Sequence, residues 1–376
     1  MPRLIAVRLP PGEGFVRALE TVWDEGDAIL PLDPGAPEQA VHRTLLDLRP
    51  HLLIDAHGHA EVASPAAVPE GTAAVIATSG TAGRPKGVVL SHAAMEAAAR
   101  MSAARLEERA DDRWLCALPL HHVAGLMILV RSRLIGTPPA VHPELDPVRI
   151  AREEDVTLVS VVPTMLARLL DRGVDLSGLR AVLVGGARVP PPLLERARSA
   201  GVPLVRTYGM TETCGGVVYD GVPLDGVEVS LSDDDEVLVR GPMLFSGYRR
   251  GGAITGAVPG GGWFRTRDLG RFEPDGHLTV LGRADDVIVT GGEKVVPGEV
   301  EAILLRHPAV ADVEVVGRPD PQWGEKVVAR VVPHGEPPTL DELRAEVKKS
   351  LPGYAAPREL EIVDALGRSA MGKIRR

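Results

Sequence analysis

With 376 residues the chain is too long for one compact core and is expected to fold as two or more domains. Its 44% hydrophobic and 25% charged content is that of a globular protein, and a net charge of −9 argues against a general nucleic-acid binder. Two cysteines, Cys116 and Cys214, are too few for a disulfide framework or a zinc site, no apolar run reaches the ~18 residues of a membrane helix, and Arg8 breaks the apolar start before a leader peptide can form, so a reducing cytoplasm is expected.

Residues 1 to about 70 are rich in Pro, His and Asp, with a helical pattern near Val41–Leu48. Ala73–Ala77 then reads as a short buried strand, and His92–Leu106, rich in Ala and Met, as a helix. Strands over Trp114–Leu118, Leu158–Val162, Ala181–Val184 and Leu204–Thr207 alternate with helices that include Thr164–Asp171 and Pro191–Ala200. That alternation predicts a mostly parallel sheet in an α/β layered domain. After about Asp220 short alternating runs (Glu228–Leu231, Glu236–Val239, His277–Leu281) are divided by turns such as Asp233-Asp234-Asp235 and Pro274-Asp275-Gly276, which reads as antiparallel. From about Ala284 a Gly-rich opening, a helix over Pro297–Arg306, strands over Val310–Val316 and Lys326–Val332 and a helix over Leu340–Ser350 describe a small α+β domain.

One loop carries the most chemistry. Residues 77 to 87 read Ala77-Thr78-Ser79-Gly80-Thr81-Ala82-Gly83-Arg84-Pro85-Lys86-Gly87, small hydroxyls and glycines ending on a lysine. Glycines let backbone N–H groups approach a ligand, hydroxyls add hydrogen bonds, and lysine adds a compact positive charge, the combination needed to hold a polyphosphate. Lys86 is the only lysine before Lys294 in a chain that otherwise uses arginine. The spacing is not that of a P-loop NTPase, because Lys86 lacks the Gly-Lys-Ser/Thr ending.

Three further segments follow in order: Tyr208-Gly209-Met210-Thr211-Glu212-Thr213; Asp268, a turn and a strand ahead of Gly282-Arg283-Ala284-Asp285; and the terminal Met371-Gly372-Lys373-Ile374-Arg375-Arg376. Taken singly, Asp268 reads as a turn residue, Glu212 as a helix-start carboxylate, Tyr208 as core and Lys373 as terminal charge. Together with the loop, and with Pro119–Gly125, Gly185-Gly186-Ala187 and Gly247-Tyr248, they resemble the adenylate-forming superfamily of acyl-CoA synthetases, luciferases and peptide-synthetase adenylation domains. The resemblance runs from about residue 70 to the end of the chain.

The resemblance implies a large AMP-binding domain over residues 1–282, built of layered α/β subdomains with a β-rich part and shortened at its N-terminus. It implies a small mobile C-terminal α+β domain over 283–376. It also implies a reaction: ATP and a carboxylate give an acyl-adenylate and pyrophosphate, the small domain rotates, and coenzyme A takes the acyl group. Carried over residue by residue, Thr78, Ser79, Gly80, Thr81, Gly83 and Lys86 hold the phosphates, and Glu212 with Thr81 holds Mg²⁺, a cation that prefers oxygen ligands. Tyr208 stacks on the adenine against Gly185, Gly186 and Ala187, with Thr207, Gly209 and Thr211 also at the nucleotide. Asp268 accepts the ribose hydroxyls and Arg283 donates to the ribose. Lys373 is the catalytic lysine, aided by Lys86, Glu212 and a pocket-gating His122. His122, Gly209 and Cys214 line the acyl pocket, Asp285 is the hinge, and Gly291 and Gly292 line the coenzyme A tunnel.

Departures from the family pattern are Ala82 for a common Thr or Ser, Arg267 for the usual Gly before Asp268, Thr290 for Lys, and Gly367 for Pro. The shortened first subdomain leaves one wall of the acyl pocket incomplete or supplied by a partner subunit of a homo-oligomer. Thr213-Cys214-Gly215-Gly216 and Asp286–Glu293 place the resemblance nearest the o-succinylbenzoate–CoA ligases of menaquinone synthesis. Another acyl- or aryl-CoA ligase, or a non-catalytic nucleotide-binding scaffold, are the alternatives; the scaffold would be expected to lack Lys373 or Glu212. Partners are thus a small carboxylate, ATP and coenzyme A, with neither nucleic acid nor stable membrane insertion.

Overall fold

The computed structural model describes residues 1–79, 84–144, 146–150, 153, 155–256 and 262–367. The first sixty residues are more regular than their composition suggests. β1 (Leu4–Arg8) lies between β2 (Ala28–Pro31) and β3 (Leu52–Asp55), parallel to both, and β4 (Gly58–Glu61) pairs antiparallel with β3. α1 (Glu13–Asp24) buries Phe15, Leu19 and Val22, one helical face, and α2 (Glu38–Leu48) buries Val41 and Leu48. β5 (Thr72–Ser79) and β6 (Pro85–Ser91) form the antiparallel pair that flanks the Gly-rich loop, with Thr78 opposite Lys86. Ser91 then caps α3 (His92–Leu106), its Oγ accepting from the Ala94 amide at 3.1 Å.

The predicted α/β alternation follows. β7 (Trp114–Cys116), α4 (Val123–Ile135), β8 (Ala140–Val141), α5 (Pro147–Ile150), β9 (Leu158–Val161), α6 (Pro163–Asp171), β10 (Ala181–Val184), α7 (Pro191–Ser199) and β11 (Leu204–Met210) build a parallel sheet. A 3₁₀ turn over Thr211–Thr213 leads to β12 (Gly215–Tyr219) and β13 (Val222–Pro223), which add antiparallel strands. The strand order β13-β12-β11-β10-β9-β7-β8 places β8 on one side of β7 and β9 to β11 on the other. In such sheets the crevice beyond the carboxyl ends of the strands is where ligands bind.

β14 (Glu228–Leu231) and β15 (Glu236–Arg240) pair as the sequence predicts. β16 (Gly247–Arg250) and β17 (Ala253–Thr255) then return to the first sheet, β16 antiparallel to β6. This completes the order β17-β16-β6-β5-β2-β1-β3-β4. β18 (Phe264–Phe272) and β19 (Leu278–Arg283) finish a four-stranded antiparallel sheet with β14 and β15. The last region comprises β20 (Ile288–Thr290), β21 (Glu293–Val295), α8 (Pro297–Leu304), β22 (Val310–Asp320), β23 (Gly324–Pro333), α9 (Leu340–Lys348) and β24 (Glu359–Ile362). It has a core of its own, in which Val300, Val315, Val327 and Leu343 are fully buried.

Aliphatic residues carry the large core, with Trp114 and Tyr219 the largest wholly buried aromatics. No helix among the described residues is long and apolar enough to cross a membrane.

Candidate active site

The hairpin β5–β6, the turn after β11 and the strand β16 converge on one oxygen. Glu212 sits in the 3₁₀ turn, where its carbonyl accepts the Phe245 amide at 2.9 Å and so joins the turn to the approach to β16. Its Oε1 accepts the Tyr248 hydroxyl at 2.9 Å and lies 3.4 Å from Lys86 Nζ. The same Nζ is 3.9 Å from the centroid of the Tyr248 ring. Thr78, directly across from Lys86, donates from Oγ1 to the Lys86 carbonyl at 3.4 Å. Of the predicted phosphate-loop residues, Gly80, Thr81 and Gly83 lie outside the described residues, as does Lys373.

A second cluster lies midway along β18, where Asp268 stands opposite Arg283 at the end of β19. Asp268 is 8% exposed; its Oδ2 accepts the Tyr208 hydroxyl at 2.8 Å and its Oδ1 accepts Arg283 Nη1 at 2.9 Å. Burial, then the neighbouring Asp268 charge, push the Tyr208 phenol well above its ordinary titration range, so it is a donor at every physiological pH. Arg283 loses to burial but gains more from Asp268 and Asp285, and its net shift is upward. The sequence thus brings Tyr208, Asp268 and Arg283 together, with the phenol edge engaged by the carboxylate.

Close packing explains the glycines. A Cβ on Gly185 would stand 2.2 Å from Thr207 Oγ1, and one on Gly209 would stand 1.9 Å from the Gly215 carbonyl. Gly186 has φ +78°, a conformation glycine adopts without strain. Thr207 itself donates toward the Val184 carbonyl at 3.4 Å, so β10 and β11 are locked together at the ends where the predicted adenine slot lies. Ala187 continues that loop into Arg188, which donates to the Val280 and Leu281 carbonyls of β19 at 3.1 and 2.7 Å.

Other predicted residues are placed as follows. His122 is the N-terminal boundary residue of α4, its ring 4.4 Å from that of His121. The Pro119–Gly125 stretch therefore runs into the first turn of α4, and a Cβ on Gly125 would meet the Pro119 carbonyl at 2.4 Å. Cys214 is 1% exposed in the large core, where burial raises its thiol far above the usual range. Asp285 is joined to Arg267 by an ion pair and lies 3.9 Å from Arg283 Nη2. Arg267, the departure from the family glycine, has φ +62°, a left-handed backbone that glycine would occupy more easily. Gly291 and Gly292, φ +61° and +86°, make the turn between β20 and β21, with Gly291 against Trp323. Tyr248 and Arg188 are the site-flanking residues that the motifs left without a role; Tyr248 was visible only as the second half of Gly247-Tyr248.

Among the described residues no group of three or more His, Cys, Asp or Glu is arranged to hold a metal. Mg²⁺ uses one or two protein carboxylates and takes its other ligands from phosphate and water, and Glu212, beside Lys86, is a carboxylate that could serve it.

A sequence pattern describing AMP-binding enzymes matches residues 55–249, and one describing the AMP-binding enzyme C-terminal domain matches residues 299–373. A probable 2-succinylbenzoate–CoA ligase of Mycobacterium tuberculosis is 43% identical over 331 residues, which cover 82% of this chain and 84% of that one. These near-equal shares make the two chains similar in length. The 2-succinylbenzoate–CoA ligase of Bacillus licheniformis is 38% identical over 329 residues, covering 81% of this chain and 69% of its own. Among solved structures, o-succinylbenzoate CoA synthetase (MenE) from Bacillus subtilis in complex with the acyl-adenylate intermediate OSB-AMP matches with a TM-score of 0.85 at 32% identity, over 99% of this chain and 87% of that one. The same enzyme in complex with ATP and magnesium ion also gives 0.85, at 31% identity over 99% and 88%.

Proposed function

The chain belongs to the AMP-binding enzyme family, and from that premise we propose that it is an ATP-dependent acid–thiol ligase that activates o-succinylbenzoate and transfers it to coenzyme A in menaquinone synthesis. The observation that carries the reading is the pair of clusters that share the Tyr208–Glu212 segment: Lys86–Glu212–Tyr248 and Tyr208–Asp268–Arg283. They suit the two ends of a nucleoside triphosphate.

In the first half-reaction a carboxylate oxygen of the acid attacks the α-phosphorus, and pyrophosphate leaves with the electron pair of the broken P–O bond. Two anions must meet, so positive charge has to stand where negative charge builds up. Lys86 supplies it beside the leaving pyrophosphate, with Thr78, Ser79, Gly80, Thr81 and Gly83 donating around it. Lys373 supplies it between the carboxylate and the α-phosphate. Glu212 and Thr81 would hold Mg²⁺, which would supply neutralisation of phosphate charge. Asp268 accepts from the ribose hydroxyls, Arg283 steadies that carboxylate, and Tyr208 flanks the adenine opposite Gly185, Gly186 and Ala187. In the second half-reaction the coenzyme A sulfur attacks the acyl carbonyl and AMP leaves.

The division into a large domain over 1–282 and a small one over 283–376 belongs to the same reading, supported by the separate core of the last region. Asp285 acts as its hinge, Gly291 and Gly292 flank the thiol path, and His122 gates the acyl pocket. The working place is the cytoplasm. The test is pyrophosphate release with o-succinylbenzoate set against fatty and aryl acids. Release with o-succinylbenzoate is expected; turnover of other acids alone overturns the substrate, and no acid-dependent release overturns the ligase.

A further inference from the structure

Tyr248 has no part in the chemistry assigned above, yet it touches both Glu212 and Lys86. Its hydroxyl donates to Glu212 Oε1 at 2.9 Å, its ring centroid is 3.9 Å from Lys86 Nζ, and that ammonium is 3.4 Å from the same Oε1. The three contacts close a triangle whose charged members are 24% (Lys86) and 13% (Glu212) exposed, so solvent screens it only in part.

The strand behind Tyr248 is fixed. Successive strand residues point to opposite faces, so Arg249 turns away from the site into the first sheet, where it is wholly buried. It donates to the carbonyls of Leu48 at 2.7 Å and Ala67 at 2.8 Å, and also to that of Ala66. On the site side the Phe245 ring packs 4.8 Å from that of Tyr248. The phenol therefore has one place to be.

We propose that Tyr248 is a positioning residue for the cation end of the site: its hydroxyl orients the Glu212 carboxylate and its ring holds the Lys86 ammonium beside it, presenting both as one preformed unit to metal-bound ATP. This rests on reading Glu212 as the metal carboxylate and Lys86 as the phosphate lysine. Without nucleotide, Lys86 is the cation on Glu212. When Mg²⁺ and phosphates arrive, the ammonium changes partner while the hydroxyl keeps Oε1 oriented. A hydrogen bond to a charged group is the stronger kind, and the ring face favours a cation.

The test is equilibrium titration of ATP, by calorimetry, into the intact protein with no acid and no coenzyme A, once with excess MgCl₂ and once with EDTA. Tyr248→Phe keeps the ring and removes the hydroxyl; it is expected to weaken ATP roughly tenfold with Mg²⁺ and little with EDTA. Tyr248→Leu removes the ring as well and is expected to weaken ATP under both conditions. In a Glu212→Gln background, Tyr248→Phe is expected to add nothing further. Equal affinities of wild type and Tyr248→Phe with Mg²⁺, or an equal loss with and without it, overturn the proposal, as does a full further loss in the Glu212→Gln background. Wild-type protein that binds Mg²⁺–ATP but shows no o-succinylbenzoate-dependent pyrophosphate release defeats the substrate reading alone, and the Tyr248 comparison still decides this one.

Discussion

Glu108, just beyond α3, offers a prediction whose size follows from its surroundings. Both carboxylate oxygens are out of contact with solvent and have no hydrogen-bond partner among the described residues. Burial raises its pKa from 4.5 to about 7; the charges of Arg131 on α4 and of Arg180 pull it back, and that of Asp112 pushes it further. Between those two values the unfolded chain has released its proton while the folded one keeps it. Stability therefore falls as pH rises through this window and is flat, at the full penalty, above it. The full shift corresponds to about 3 kcal/mol at 1.36 kcal/mol per unit. Glu108→Gln keeps the shape and removes the ionisation. We expect it to exceed wild type in stability by about 1–3 kcal/mol at pH 8 relative to the difference at pH 4.5. Urea unfolding followed by tryptophan fluorescence reads this directly, and taking the difference between two pH values cancels any fixed cost of the amide. A variant–wild-type difference that is the same at both pH values, or larger at the acidic one, refutes the reasoning.

At the second cluster, Asp268→Asn removes the charge that Arg283 engages and that the proposed function offers to the ribose hydroxyls, and should raise the KM for ATP roughly 10- to 100-fold in a pyrophosphate-release assay. An unchanged KM would detach Asp268 from the nucleotide. Gly209→Ala forces a Cβ against the Gly215 carbonyl, within the β11–β12 pair that carries Tyr208, so thermal unfolding should show a loss of about 1–3 kcal/mol together with weaker ATP binding. Wild-type melting would mean that the backbone there yields freely. Lys373→Ala should abolish adenylate formation while leaving thioester formation from supplied acyl-adenylate largely intact; equal loss of both steps contradicts its role.

The order of elements was legible where burial is one-sided or complete over a short run. α3 spans the His92–Leu106 that its composition predicts, and β10 spans the expected Ala181–Val184. α4 escaped because it is apolar nearly all round, with Leu126, Met127, Ile128 and Leu129 all buried, which leaves no stripe for periodicity to reveal. α1 escaped because a glycine without a capping side chain opens it, and β4 because all four of its residues are exposed. At the site the residue types were legible but their pairings were not. Lys86 and Glu212 are 126 residues apart, and Tyr208 and Asp268 are 60 apart. Such partners are chosen by how distant elements pack, as where β16 returns to β6 in the first sheet, and neither spacing nor propensity records that packing.

The same argument explains why Tyr248 was passed over and Arg267 was noticed for an incomplete reason. In Gly247-Tyr248-Arg249 nothing local says which side chain faces the site; the register of β16 against β6, with Tyr248 opposite Val88, decides it. Arg267 stood out as a missing glycine. Its left-handed backbone shows why glycine suits the position, and its ion pair to Asp285 shows what an arginine adds there. That pair is half-exposed and contributes little to stability, on the order of 0–1 kcal/mol. It does connect the strand carrying the proposed ribose carboxylate to the proposed hinge, with Arg283 bonded to Asp268 and close to Asp285 between them.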